Sequence, residues 1–231
     1  MAGSSNRLCQ KLIAHASWVI VIINLVTFIA VRFSPGNGTA LFNRLALSPD
    51  TPAALLSYMW IHIDLIHFLL NMLMAVASSV ILSRRSFPQF MIYVTYLTGS
   101  IAGGIIFILT AAGGQSLIGA SCGALALCGA VIFRLLSSPS RLSAQNLLML
   151  IPAIGCIACL MWINQAVAPE HLAGLITGTA IGNVGFRIAR HKKQSDDRRS
   201  RLDFINDKIR RSGFSSLTET ERNFIFDNIN R

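Results

Sequence analysis

Charge is scarce in this chain. Only 13% of its 231 residues are charged, against roughly 25% in an ordinary soluble domain. Acidic residues are the rarest: Asp50, Asp64 and Glu170 are the only three before Phe186, and the other seven follow it. So few charges over so long a stretch exclude a conventional soluble globule. What fills the chain instead is 53% hydrophobic residues, with a mean hydropathy of +0.56. The net charge of +10 does not indicate a nucleic-acid partner, because the basic residues gather at the ends of hydrophobic segments, as the positive-inside rule requires.

Cysteine is also sparse. Of Cys9, Cys122, Cys128, Cys156 and Cys159, four lie inside apolar segments, which excludes a disulfide framework. Cys156 and Cys159 have CxxC spacing, but no second pair completes a zinc site. No metal and no cofactor is expected. The N-terminus lacks an A-x-A cleavage site, and the apolar run after Arg7 and Lys11 is too long for a signal-peptide core. It reads as an uncleaved anchor.

A spanning helix needs about 20 apolar residues. The hydrophobic segments predict six: 16–31, 64–82, 87–112, 117–136, 144–163 and 170–188. The fold class is therefore all-α, a polytopic six-helix membrane bundle. Residues 1–15 form an N-terminal segment, 16–189 the membrane domain, and 190–231 a basic tail. Arg7, Lys11, Arg84, Arg85, Arg134, Arg141 and the basic run from Arg187 fall on one side, which charge bias makes cytoplasmic. Both termini are then inside. The run from His191 to Arg199 reads as a solvated linker. Beyond it come two short amphipathic helices broken at Ser212-Gly213, with Ser216-Leu217-Thr218-Glu219 as a capping box.

This orientation brings three sets of polar residues to one depth. Helices two, four and six all start at the outer surface, carrying His67 with Asn71, then Ser121, then His171. Polar groups in a bilayer are costly and face the bundle interior or a wet cavity. His171, Gly174, Gly178, Gly182 and Gly185 share one face of helix six, and such a stripe lets another backbone approach closely. Gly119, Gly123, Ala126 and Ala130 offer a matching face on helix four. If the two faces meet, His171 reaches Ser121 and can serve as its base; a boundary histidine bonded to a loop carbonyl is the plainer alternative. His67 and Asn71, four apart on helix two, suit either donation to a buried oxyanion or an interhelical hydrogen bond.

Taken together, these residues resemble the rhomboid family of intramembrane serine proteases. Gly119-Ala120-Ser121-Cys122 is similar to the family's GxSx motif. His67 and Asn71, with His62 five residues earlier, are similar to its HxxxN motif. His171, Gly174 and Gly178 are similar to HxxGxxxG. Tyr96-Leu97, Gly99, Gly103 and Gly104 resemble its third helix. The resemblance spans about Trp18 to Gly185.

The resemblance implies that Ser121 is the nucleophile and His171 the general base, a dyad without an acidic third member. It implies an oxyanion hole from His67, Asn71 and the Ser121 backbone N–H, with Gly119 in support and Gly123, Gly174 and Gly178 packing the helices beside it. Loop 33–61 resembles a membrane-embedded loop. Helix five and loop 164–169 resemble a substrate gate and cap. Substrates would be transmembrane proteins cut near their outer ends, and the setting a bacterial inner membrane; the bilayer is the other partner, and oligomeric state is left open. Two positions depart from the family pattern: Cys122 stands where most members have glycine, and Leu125 where most have an aromatic residue. Altered rate or specificity is expected from them. A rhomboid-like protein that binds transmembrane helices without cutting them is the alternative. A transporter fits poorly, because the polar residues lie near one surface rather than at the midplane.

Overall fold

The computed structural model describes residues 2–137 and 168–229. The helix expected at 144–163 and the loop residues 164–167 lie outside them. The described residues are helical, apart from loops and one isolated bridge between Leu47 and Leu117. They fall into two compact units, Met1–Phe186 and Arg187–Arg231.

In the first unit, α1 runs from Ala2 to Phe33 and a short α2 from Thr39 to Leu45. Two single turns, Pro52–Leu56 and Tyr58–Trp60, lead to α3, Leu65–Arg84. Then come α4, Gln89–Thr110, and α5, Ser121–Leu136. The next described helix, α6, runs from Ala168 to Ser212 and contributes to both units. Among the described residues, α3, α4 and α6 are long and apolar enough to cross a membrane, and Ser17–Phe33 and α5 are shorter apolar helices.

Every residue of α5 from Ser121 to Val131 is buried. A helix that is apolar on all sides belongs in the middle of a bundle, and α3 and α4 pack on it. The glycine face of α6 packs there too. A Cβ on Gly174 or Gly178 would collide with the backbone of Cys122 or Ala126, and one on Gly182 would lie 2.9 Å from Ala130 Cα. Thr179 Oγ1 donates across this contact to Gly129 O at 3.4 Å. The stripe expected from sequence is thus a backbone-to-backbone seam. At its far end the Arg134 guanidinium lies 4.8 Å from the Phe186 ring centroid, and Phe186 packs on Phe87.

Helix α5 begins four residues later than the hydropathy suggests. Leu117 pairs in extended fashion with Leu47, through N–H···O bonds of 2.8 and 3.1 Å, and Gly119 has φ +104°, a left-handed value open to glycine. These residues cannot join the helix.

In the second unit, the charged run expected as a linker is helical. Nothing between Arg187 and Arg211 breaks a helix: there is no glycine or proline, and lysine, arginine and glutamine are good helix formers. The helix stops at Gly213, φ +76°, as expected, and α7 covers Glu219–Ile229. Its capping box is not the one expected. Thr218 N donates to Glu221 Oε2 at 2.8 Å, and Glu221 N to Thr218 Oγ1 at 3.3 Å. Lys208 holds the same carboxylate at 2.7 Å, and a second partner at Glu221 is what fixes the register of the box.

Candidate active site

Three helix starts build the site. Asp64 caps α3 by accepting from His67 N at 2.8 Å, which satisfies a first-turn amide that has no intrahelical acceptor. One turn on, Asn71 is fully buried. Helix α5 starts at Ser121, whose N–H is in the first turn and also lacks an intrahelical acceptor. Helix α6 starts at Ala168 and presents His171 within its first turn.

The seam between α5 and α6 brings the last two together. His171 Nε2 lies 2.9 Å from Ser121 Oγ, and both residues are buried. That is hydrogen-bond distance for a hydroxyl and a base. Among the described residues, His171 Nδ1 and both side-chain polar atoms of Asn71 are buried with no hydrogen-bond partner. Such groups are costly to leave unmade, and the Asn71 amide stands beside the serine turn with its donor uncommitted.

Gly119 locates the rest. A Cβ there would lie 2.7 Å from His67 Cε1, 2.9 Å from its Nε2 and 3.7 Å from Asn71 Nδ2. The two side chains of α3 therefore sit against the turn that precedes the serine. Ser121 and His171 are joined directly, His67 and Asn71 stand beside Gly119, and Gly123, Gly174 and Gly178 lie in helix contacts: Gly123 against Tyr96 and Ser100, the other two against α5.

Sequence reasoning missed the scaffold under this turn. Gly119 N donates to Tyr58 O at 2.9 Å, and Ala120 N to His62 Nε2 at 3.4 Å. Tyr58 is itself fixed, its hydroxyl donating to Ser100 O in α4. Tyr96 OH donates to Met59 O at 3.2 Å. These contacts join residues far apart in a loop without helical period, so no local pattern announces them. His62 was visible only as a motif residue. Burial, with the His67 imidazole next to it, pushes the His62 pKa down, and Asp64 opposes the shift. A neutral ring whose Nε2 accepts from Ala120 carries its proton on Nδ1.

Cys122 Sγ and Cβ lie against Gly103 of α4: a Cβ on that glycine would be 2.5 and 2.8 Å from them. The larger residue after the serine is thus accommodated by an empty position across the helix interface. Leu125 is buried. No group of His, Cys, Asp and Glu capable of holding a metal occurs among the described residues.

A family model for the rhomboid domain matches residues 50–188. The chain belongs to the rhomboid family. No curated protein matches it. Rhomboids are helical integral membrane proteins, most of them intramembrane serine proteases. The matched stretch contains the serine, the histidine, both residues of α3 and the whole of the glycine seam.

Proposed function

We propose that this rhomboid is an intramembrane serine endopeptidase. The observation that carries the reading is the 2.9 Å contact between His171 Nε2 and Ser121 Oγ in a buried site at three helix starts. His171 takes the serine proton as Ser121 attacks the scissile carbonyl, and returns a proton to the leaving amine. The resulting oxyanion is met by the Ser121 N–H, by Asn71 Nδ2 and by His67, with the N-terminal end of α5 adding a favourable dipole. No carboxylate takes part.

Charge bias supports the orientation. Arg84, Arg85 and Arg134 lie at the opposite helix ends from Ser121, and the basic run from Arg187 follows the last apolar segment in sequence, so the site faces away from the cytoplasm and both termini face it. Substrates are transmembrane proteins cut near their outer ends, where helix-weakening residues let the backbone open to attack. A bacterial inner membrane with six spans fits this reading.

Fluorophosphonate labelling of the purified protein tests it. Wild type should be labelled, and Ser121→Ala and His171→Ala should lose the label while melting at similar temperatures. Folded wild type that takes no label, and captures a transmembrane helix without cutting it, would establish the non-cleaving alternative instead.

A further inference from the structure

A second recess opens at the same end of the membrane unit, away from the dyad. It has a volume of about 260 Å³ and lies between the end of α1, the start of α2 and the residues before α3. Phe28, Val31, Phe42 and Ile63 give it apolar walls, and Arg32, Thr39 and His62 are its polar groups. Nothing in the hydrolytic reading uses it.

Its chemistry is that of an anion attached to something apolar. Arg32 is exposed and makes no ion pair or hydrogen bond among the described residues. A guanidinium is the side chain best suited to a phosphate, which it meets with two parallel donors. His62 is 2% exposed, and its Nδ1 is buried without a partner among the described residues. Nε2 accepts from the Ala120 N–H, so the ring that walls the recess also holds the turn before Ser121. The lip is apolar: Ile63, in its wall, is 65% exposed, and Phe33, next to Arg32 in the chain, is 81% exposed. A free anion gains nothing from such a lip, whereas acyl chains do. The volume admits a headgroup but not a whole lipid, so the chains must lie outside, along that surface.

We propose that this recess binds the phosphate of a phospholipid headgroup, held by Arg32 against the His62 wall, with the acyl chains lying on Ile63. The site reaches the nucleophile through one residue. His62 forms its wall with one face and holds the amide of Ala120, the residue before Ser121, with the other. Lipid occupancy therefore steadies the turn from which the oxyanion donors project.

The test needs no proteolysis, so it stands or falls apart from the hydrolytic reading. The full chain is delipidated in dodecyl maltoside, which carries no phosphate, and titrated with dioleoyl phosphatidylglycerol under native mass spectrometry. The first lipid should bind roughly tenfold more weakly to Arg32→Gln, while Arg44→Gln, outside the recess, should match wild type. Dioleoylglycerol, which lacks the phosphate, should bind Arg32→Gln and wild type alike. Hydrogen exchange of the peptide containing Ala120 should slow on lipid addition in wild type only. Equal lipid affinity in wild type and Arg32→Gln overturns the site. Displacement of the lipid by millimolar inorganic phosphate overturns the assignment to a lipid.

Discussion

The amide of Ala120 donates to Nε2 of His62 at 3.4 Å, across 58 residues of chain. This contact, with Gly119 N on Tyr58 O, fixes the turn before Ser121 to a loop that has no catalytic group of its own. His62→Ala leaves the Ala120 N–H buried and unpaired, at a cost of about 1–3 kcal/mol. A lower melting temperature in detergent is expected, with a fall in kcat larger than any rise in KM. Unchanged melting would show that the amide finds another acceptor.

Asn71 has neither side-chain polar atom paired among the described residues, although it is fully buried. A structural asparagine would be bonded; this one lies beside Gly119 with its donor free. Asn71→Ala should therefore lower kcat by roughly 10²–10³-fold, the usual loss for one oxyanion donor, and leave KM and melting temperature nearly unchanged. A large drop in melting temperature with modest kinetic loss would instead mark Asn71 as a packing residue.

The dyad sets a sign for the pH dependence. His171 accepts the serine proton only when neutral, so kcat/KM for a fluorogenic transmembrane substrate should rise with pH through the titration of that imidazole, with a slope of one proton. No second group on the acid limb is expected, because no carboxylate joins the pair. A profile that stays flat down to the lowest pH at which the protein remains folded would argue against His171 as the base.

How much of this was legible beforehand depended on the range of the interaction. The glycine spacing on α6 announced a close seam with α5, because a helix face is a local pattern, and the seam carries His171 to Ser121. The turn at Gly119 was not legible. Its left-handed backbone and its bonds to Tyr58 and His62 depend on residues some sixty positions away. The reading failed at two other places where local signals compete. The charged run 191–199 looked like a linker because it is polar on all faces, yet nothing in it breaks a helix. The capping box moved from Ser216 to Thr218 because Lys208, on a different helix, selects Glu221.

That choice of carboxylate gives a second pH prediction, far from the dyad. Lys208, then the Thr218 amide, hold the Glu221 pKa down from 4.5 to about 2. A depressed carboxyl pKa means that the stabilisation is fully present above the ordinary value and is lost as pH falls through the folded one. The start of α7 should therefore stay protected from amide exchange at pH 5 and open as pH approaches 2. Glu221→Ala, which has no side-chain acceptor, should be open at both. Equal protection of the variant and wild type at pH 5 would show that the box does not hold the helix.

Cys122 and Gly103 form the pair in which this rhomboid departs from the family pattern with least visible disturbance. The sulfur occupies the space a side chain at 103 would need, with Sγ only 2.5 Å from a Cβ built there. Gly103→Ala should overpack the α4–α5 interface and cost about 1–3 kcal/mol. Cys122→Gly alone should be destabilising for two opposite reasons, a cavity at the interface and a glycine near the start of the helix. The double variant returns one methyl to the vacated space and should recover most of the stability, a coupling of 0.5 kcal/mol or more, as estimated for neighbours in contact. Recovery should be incomplete, since the new Cβ would still lie 3.1 Å from Glu170 O. Additive losses in the cycle would mean that Cys122 does not rest on Gly103, and its place after the serine would then need another cause.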